Sequence, residues 1–251
     1  GTSSVWSGLR FTTLRGGEFS IGTIGIFAPA LTRRTKTIRA GGKMHNTVDR
    51  LSYIAFEGAI AAGKTTLATH LAAHLSSDLV LEEFDGNEFL ADFYSDRRRW
   101  SLPMQLWFLS ARIPALKLIK RPLRNAIVAD YTSRKDSLFA RLLLDERELR
   151  LFNRLVTLTA SELIQPDLIV FLDARTEILL DRIRRRGRSY EETIDARYLN
   201  SLRRAYEEDL VHLGLNVVRY DTSTLDLNSP NQMQHLYDTI LAARPDSKAP
   251  S

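Results

Sequence analysis

Gly58-x-x-x-x-Gly63-Lys64-Thr65 is a spacing suited to binding phosphate. Glycines at both ends let the chain curl until backbone N–H groups converge on anionic oxygens. Gly58, Ala59, Ile60, Ala61, Ala62, Gly63, Lys64, Thr65 and Thr66 would together form that cradle. Lys64 is placed to bridge the β and γ phosphates of ATP, and the Thr65 hydroxyl to hold Mg²⁺. Directly before the first glycine stands an acid, Glu57. A carboxylate turned toward a γ phosphate would be repelled by it. Glu57 therefore reads better as the base that orients and deprotonates an acceptor hydroxyl, with an ion pair to a distant arginine as the alternative. Farther along, Arg182, Arg184, Arg185, Arg186 and Arg188 crowd around Gly187. An arginine run alone is more often a solvated helix face. On the same sheet edge as a glycine loop, it predicts a lid that closes over a triphosphate and neutralises the moving charge.

These groups need a frame, and the pattern along the chain supplies one. Short β-rich runs at 51–56, 78–82, 125–130, 167–173 and 216–220 alternate with helical spacing at 64–75, 100–119, 135–144, 146–163, 177–185, 196–210 and 232–243. Pro103 is expected in the first turn of the long helix, and Pro114 is expected to kink it. Strands alternating with helices predict an α/β fold, a central parallel sheet with helices on both faces. The glycine loop then lies at the carboxyl end of the first strand, where open α/β sheets place their ligands.

The chain has 251 residues, 44% hydrophobic and 26% charged, and no cysteine, so packing alone must hold the core. No apolar run is long enough to span a membrane. The net charge is +5, but residues 1–43 carry seven basic residues against Glu18 alone, a balance of +6. The remainder therefore sums to −1, which gives no support for a nucleic-acid-binding surface. Residues 1–43 are expected to be a disordered basic leader: a mitochondrial-type targeting segment, or sequence translated from upstream of Met44. Gly41-Gly42-Lys43 can be encoded as a purine-rich ribosome-binding site, which favours the second. Residues 44–244 are expected to form the catalytic domain and 245–251 a disordered tail, with a cytoplasmic location unless the leader is a transit peptide.

From about Tyr53 to Leu210 the sequence resembles the deoxyribonucleoside kinases, in particular the bacterial deoxyadenosine/deoxyguanosine kinase type. The resemblance is carried by Phe56-Glu57-Gly58 through Thr65, by Asp92-Phe93-Tyr94 with Arg99-Trp100-Ser101, and by the stretch from Gln105 to Arg112. Asp130-Tyr131, Lys135-Asp136, Phe139-Ala140 and Arg186-Gly187-Arg188 with Glu191 complete it. It implies a P-loop NTPase-like three-layer fold with an arginine-rich lid, and ATP- and Mg²⁺-dependent phosphorylation of a deoxynucleoside 5′-hydroxyl in nucleotide salvage. It also implies a homodimer, through the helices near 104–119 and 146–163. On the matching positions, Glu57 is the base, Gln105 pairs with the nucleobase and Arg112 reaches the same pocket. Tyr94 and Glu191 hold the 3′-hydroxyl, and Arg182, Arg186 and Arg188 are the lid arginines.

One departure stands out. Many members of that family end the third strand in Glu-Arg-Ser or Asp-Arg-Ser, where this chain has Asp130-Tyr131-Thr132. Asp130 keeps the acid, near Mg²⁺ or the sugar, but the arginine is missing, and with it part of the phosphate clamp and the basis for base preference. Asp136 is a candidate for the base-reading aspartate, and Trp107 and Phe108 either line the nucleobase slot or belong to the core. A nucleoside monophosphate kinase would share the loop and the lid, but it needs cations for its acceptor's phosphate, whereas Glu57, Glu82 and Glu83 stand on this acceptor side. A non-catalytic relative would be marked by degenerate loop residues, and Lys64, Thr65 and Glu57 are intact.

Overall fold

The computed structural model describes residues 53–121, 123, 125–160, 163–211 and 216–243, so the expected leader 1–43 and tail 245–251 lie outside the described residues. Five strands form one sheet: β1 (Tyr53–Gly58), β2 (Asp78–Val80), β3 (Ile127–Ala129), β4 (Leu168–Asp173) and β5 (Val217–Asp221). Their order is β2-β3-β1-β4-β5, and every pairing is parallel. Parallel neighbours must be joined by crossovers, and helices supply them. Among the described residues the α-helices are α1 (Lys64–Leu75), α2 (Leu90–Ser95), α3 (Arg97–Leu116), α4 (Arg134–Leu143), α5 (Glu146–Thr159), α6 (Thr176–Arg186), α7 (Ala196–Val211) and α8 (Pro230–Ala242). Helices cover both faces, so β1 is buried at all six positions and β4 at its first five. No described helix is long and apolar enough to cross a membrane.

The sheet also fixes where a ligand can sit. β1 and β4 are neighbours, yet β1 leads to β2 at one edge and β4 to β5 at the other. Diverging connections leave a crevice beyond the carboxyl ends of the two strands. The chain turns into that crevice at Gly58, which adopts φ 145 opposite Leu172 of β4. A β-carbon at Gly58 would lie 2.2 Å from the Leu172 carbonyl oxygen. Only glycine satisfies both the dihedral and the contact.

The long helix differs from its sequence expectation. Asp96 caps α3 by accepting from the Arg99 N–H at 3.2 Å, so the helix starts three residues before Trp100. Pro103 consequently falls in the helix interior rather than in the first turn, a correction that traces to the capping strength of an aspartate. Pro114 lies in the last turn, where few bonds remain to be lost. The inner face of α3 carries Ser101, Met104, Gln105, Phe108, Leu109 and Arg112, all buried. Thus one helical stripe delivers Gln105 and Arg112 to the same side, two turns apart. β2 and β3 are shorter than expected, and the six-residue α2 was not foreseen.

Gly58→Ala is expected to destabilise the protein by about 2–4 kcal/mol through positive-φ strain and the clash with β4. Urea unfolding monitored by circular dichroism reads the loss. An unchanged midpoint would show that β1 and β4 do not approach so closely.

Candidate active site

The glycine loop runs from β1 into α1, whose first turn has no side-chain cap and starts from Gly63 at φ 101. Its N–H groups are left for an anion. The Lys64 ammonium donates to the carbonyls of Gly58 and Ala59, both at 2.9 Å, and so lies along the loop. Thr65 Oγ1 donates to Asp130 Oδ2 at 2.6 Å, and the Glu82 N–H donates to Asp130 Oδ1 at 2.7 Å. These contacts tie the ends of β1, β2 and β3 together at one point.

Two cavities meet at the glycine loop: one runs along its outer side past Gly63, Thr66, Arg182 and Thr222, and the other opens toward α3. Ile60, Ala61, Lys64 and Thr65 line the loop side of the latter, and Glu82, Asp130 and Lys135 its floor. Gln105, Phe108 and Arg112 of α3 form one wall, with Met104, Phe84 and Phe139 adding apolar surface. Tyr94, Arg186, Arg188 and Glu191 close the far side. Of Trp107 and Phe108, Phe108 borders this cavity, whereas Trp107 packs beside Gly86.

The floor is held by charge. Arg112 bonds Glu82 through Nε, at 2.8 Å, and through Nη2, while its Nη1 reaches Asp136. Lys135 Nζ bonds the other Glu82 oxygen at 2.5 Å. Burial alone would push the Glu82 carboxyl up, but Arg112 and Lys135 hold it down at about 2. Asp136, 1% exposed, stands behind Arg112 rather than on the cavity wall. It orients the guanidinium instead of facing a ligand. Gln105 is 1% exposed, and its Oε1 has no hydrogen-bond partner. Such an acceptor on a cavity wall is set to receive a bond from a ligand.

Glu57 is elsewhere. Strand alternation turns it to the opposite face of β1 from Phe56 and beneath the cavity floor. There its Oε1 accepts from the Thr132 N–H at 2.8 Å and hydroxyl at 2.7 Å, and its Oε2 accepts from Tyr206 at 3.0 Å. It is 3% exposed and does not border the cavity. Burial pushes its carboxyl up, against the opposing Lys135 charge and the Thr132 bonds. The placement of Glu57 against an acceptor hydroxyl is therefore corrected: both oxygens are spent inside the fold. Of Glu57 and Glu82, it is Glu82 that reaches the cavity, together with Asp130 and Glu191. The ladder between β2 and β3 stops at Val80, two residues short of the run read from sequence, which frees Glu82 to turn inward.

The lid arginines divide. Arg186 gives two bonds to Glu191, at 3.0 and 2.6 Å, and Arg188 gives one at 3.4 Å while stacking 4.0 Å over Phe84. Arg182 instead grips the Ala61 carbonyl at 3.3 Å and Thr222 at 3.0 Å, pinning α6 to the glycine loop. Arg184 and Arg185 are exposed. Tyr94 packs against Phe93 and Tyr190, with ring centres 5.0 and 5.9 Å away.

A glycine loop, a lid and an acceptor cavity with an ionised carboxylate on its floor define a P-loop phosphotransferase. The chain belongs to the deoxynucleoside kinase family, whose model matches residues 54–241, and it is a kinase that phosphorylates deoxynucleosides with ATP as donor. This decides against the monophosphate-kinase and non-catalytic alternatives. It is 33% identical over 160 residues to a deoxyguanosine kinase of Bacillus subtilis, a match covering 62% of this chain and 76% of that one. It is also 33% identical over 192 residues to a deoxyadenosine kinase of Dictyostelium discoideum, covering 74% and 77%. A solved structure of deoxyadenosine kinase from M. mycoides with bound dCTP shares the fold, with a TM-score of 0.65 at 23% identity, covering 76% of this chain and 99% of that one.

Two outcomes are expected from this geometry. Glu57→Gln places an amide donor against groups that already donate, so it should cost about 1–3 kcal/mol in urea unfolding while kcat stays within roughly tenfold. A kcat collapse without loss of stability would return the base to Glu57. Separately, burial and then the neighbouring Lys135 charge pull the Lys64 ammonium down to about 8. A bound triphosphate favours the protonated form, so ATP binding should take up a proton and weaken as pH rises through about 8. Titration calorimetry in buffers of differing ionisation enthalpy checks this, and a dissociation constant flat to about pH 9.5 would contradict it.

Proposed function

We propose that this kinase transfers the γ phosphate of ATP to the 5′-hydroxyl of purine deoxynucleosides, a salvage reaction, with Glu82 as the base. The observation that carries it is that one cavity is lined both by Lys64 and Thr65 and by Glu82, Gln105 and Arg112. Gln105 offers amide donor and acceptor to the base edge, between the apolar side chains of Phe108 and Phe139. The deoxyguanosine and deoxyadenosine kinases among its relatives support a purine. Tyr94 and Glu191 take the 3′-hydroxyl, and Arg186 and Arg188, on the same side of the cavity, neutralise phosphate charge.

Arg112 and Lys135 favour the ionised form of Glu82, so its task is to orient the hydroxyl and to receive the proton late, once the nucleophile has given up charge. Thr65 and Asp130 offer hard oxygens 2.6 Å apart, a donor set that fits Mg²⁺. Bound there, the ion would offset phosphate charge. A homodimer belongs to the same reading, supported by Leu151 and Leu158, which are exposed seven residues apart on α5.

ATP-dependent turnover of the four natural deoxynucleosides is the test. Deoxyadenosine or deoxyguanosine should be phosphorylated fastest, and Glu82→Gln should lower kcat by about 10²–10⁴. Turnover of pyrimidines alone would sink the purine assignment, and a fully active Glu82→Gln the base.

A further inference from the structure

At the end of β3 the acid Asp130 is followed by Tyr131. Its ring is 1% exposed and packs with Tyr53, Ala55, Leu116 and Ile119. No positive charge comes from that position. Yet the cavity floor has a cation besides Arg112 and Lys64, and it comes from the next helix. Lys135, the second residue of α4, is 8% exposed and bonded to Glu82 Oε2.

Its placement follows from the buried carboxylate that the phosphoryl transfer does not use. Glu57 holds Thr132 by both its N–H and its hydroxyl. The Thr132 carbonyl accepts from the Lys135 N–H at 3.3 Å, and its Oγ1 accepts from the Arg134 N–H at 3.2 Å. Glu57 thereby sets the start of α4, and with it the ammonium that faces Glu82.

We propose that Lys135 is a positioning residue for phosphoryl transfer, supplying from α4 the charge that fixes the orientation of the Glu82 carboxylate. A carboxylate has about four lone-pair sites. Arg112 occupies both on Glu82 Oε1, and Lys135 occupies one on Oε2. One site on Oε2 is left, and its direction is fixed by the two cations. The acceptor hydroxyl donates there. Its oxygen bonds the γ phosphorus as the bond from that phosphorus to the β,γ-bridging oxygen breaks; ADP leaves with the electron pair, and the hydroxyl proton passes to Oε2. Without Lys135 the carboxylate can rotate about its bond to Cγ, and the free site no longer has one direction.

The inference rests on the kinase reading with Glu82 as base, and kinetics on the wild type and four variants tests both. Lys135→Met should lower kcat by about 10² or more, with ATP and deoxynucleoside dissociation constants within about threefold of wild type, whereas Lys135→Arg should stay within about tenfold. In a Glu82→Gln background, Lys135→Met should cost less than about threefold further, because it acts through that carboxylate. This last comparison removes both charges of the pair and holds even if the single methionine variant fails to fold. Undiminished kcat in Lys135→Met overturns the proposal, as does a full independent loss in the Glu82→Gln background or an arginine variant as inactive as the methionine one. Wild-type protein without turnover overturns the kinase reading together with it.

Discussion

Two cations, Arg112 and Lys135, and two carboxylates, Glu82 and Asp136, share a site largely shielded from water, and none would be tolerated there alone. An unpaired charge in such a place costs several kcal/mol, so each group is present only because the others are. Arg112 is the hub, bonded to Glu82 on one side and Asp136 on the other. Three elements must therefore be in register before the charges are satisfied: the segment after β2, α3 and the start of α4. The cavity floor is as much a folding constraint as a chemical one.

That constraint explains why the site is preformed. Glu82 is held from two sides, Asp130 is bonded by Thr65 and by the Glu82 backbone, and Gln105 is packed at 1% exposure. Side chains fixed in advance need little reorganisation when charge moves, which is where most of the rate of a phosphoryl transfer arises. The lid is organised differently. Arg182 is anchored to the glycine loop, while Arg186 and Arg188 hold Glu191 beyond the left-handed turn at Gly187. Its base is thus anchored on α6 at the glycine loop, whereas its ion-paired tip, from the end of α6 to Glu191, borders the acceptor cavity.

Glu57 shows how a fold can redirect a side chain that the sequence marks for chemistry. Its position beside the first glycine is that of a residue near phosphate, and the strand carries it there. But side chains on a strand leave on alternate faces, and the face Glu57 takes is covered by Tyr206 of α7 and by Thr132. The carboxylate became part of the scaffold that sets α4.

The sequence alone determined the phosphate loop, the parallel α/β order and the pairing of Gln105 with Arg112, because each depends on local spacing: a glycine interval, alternating elements, two helical turns. It also located the lid arginines, though not their split between anchor and tip. That Glu57 turns away from the cavity and Glu82 toward it was not legible. In a parallel sheet covered on both faces, alternation carries no inward or outward signal, so nothing in the run around Glu57 says which face is cavity and which is core. Glu82 could be counted on the acceptor side, but its turn inward depends on a ladder that ends at Val80. Lys135 gave no signal beyond its place in a family landmark. Its partner lies 53 residues earlier in the chain, and only the packing of α4 against the strand ends brings the two charges together.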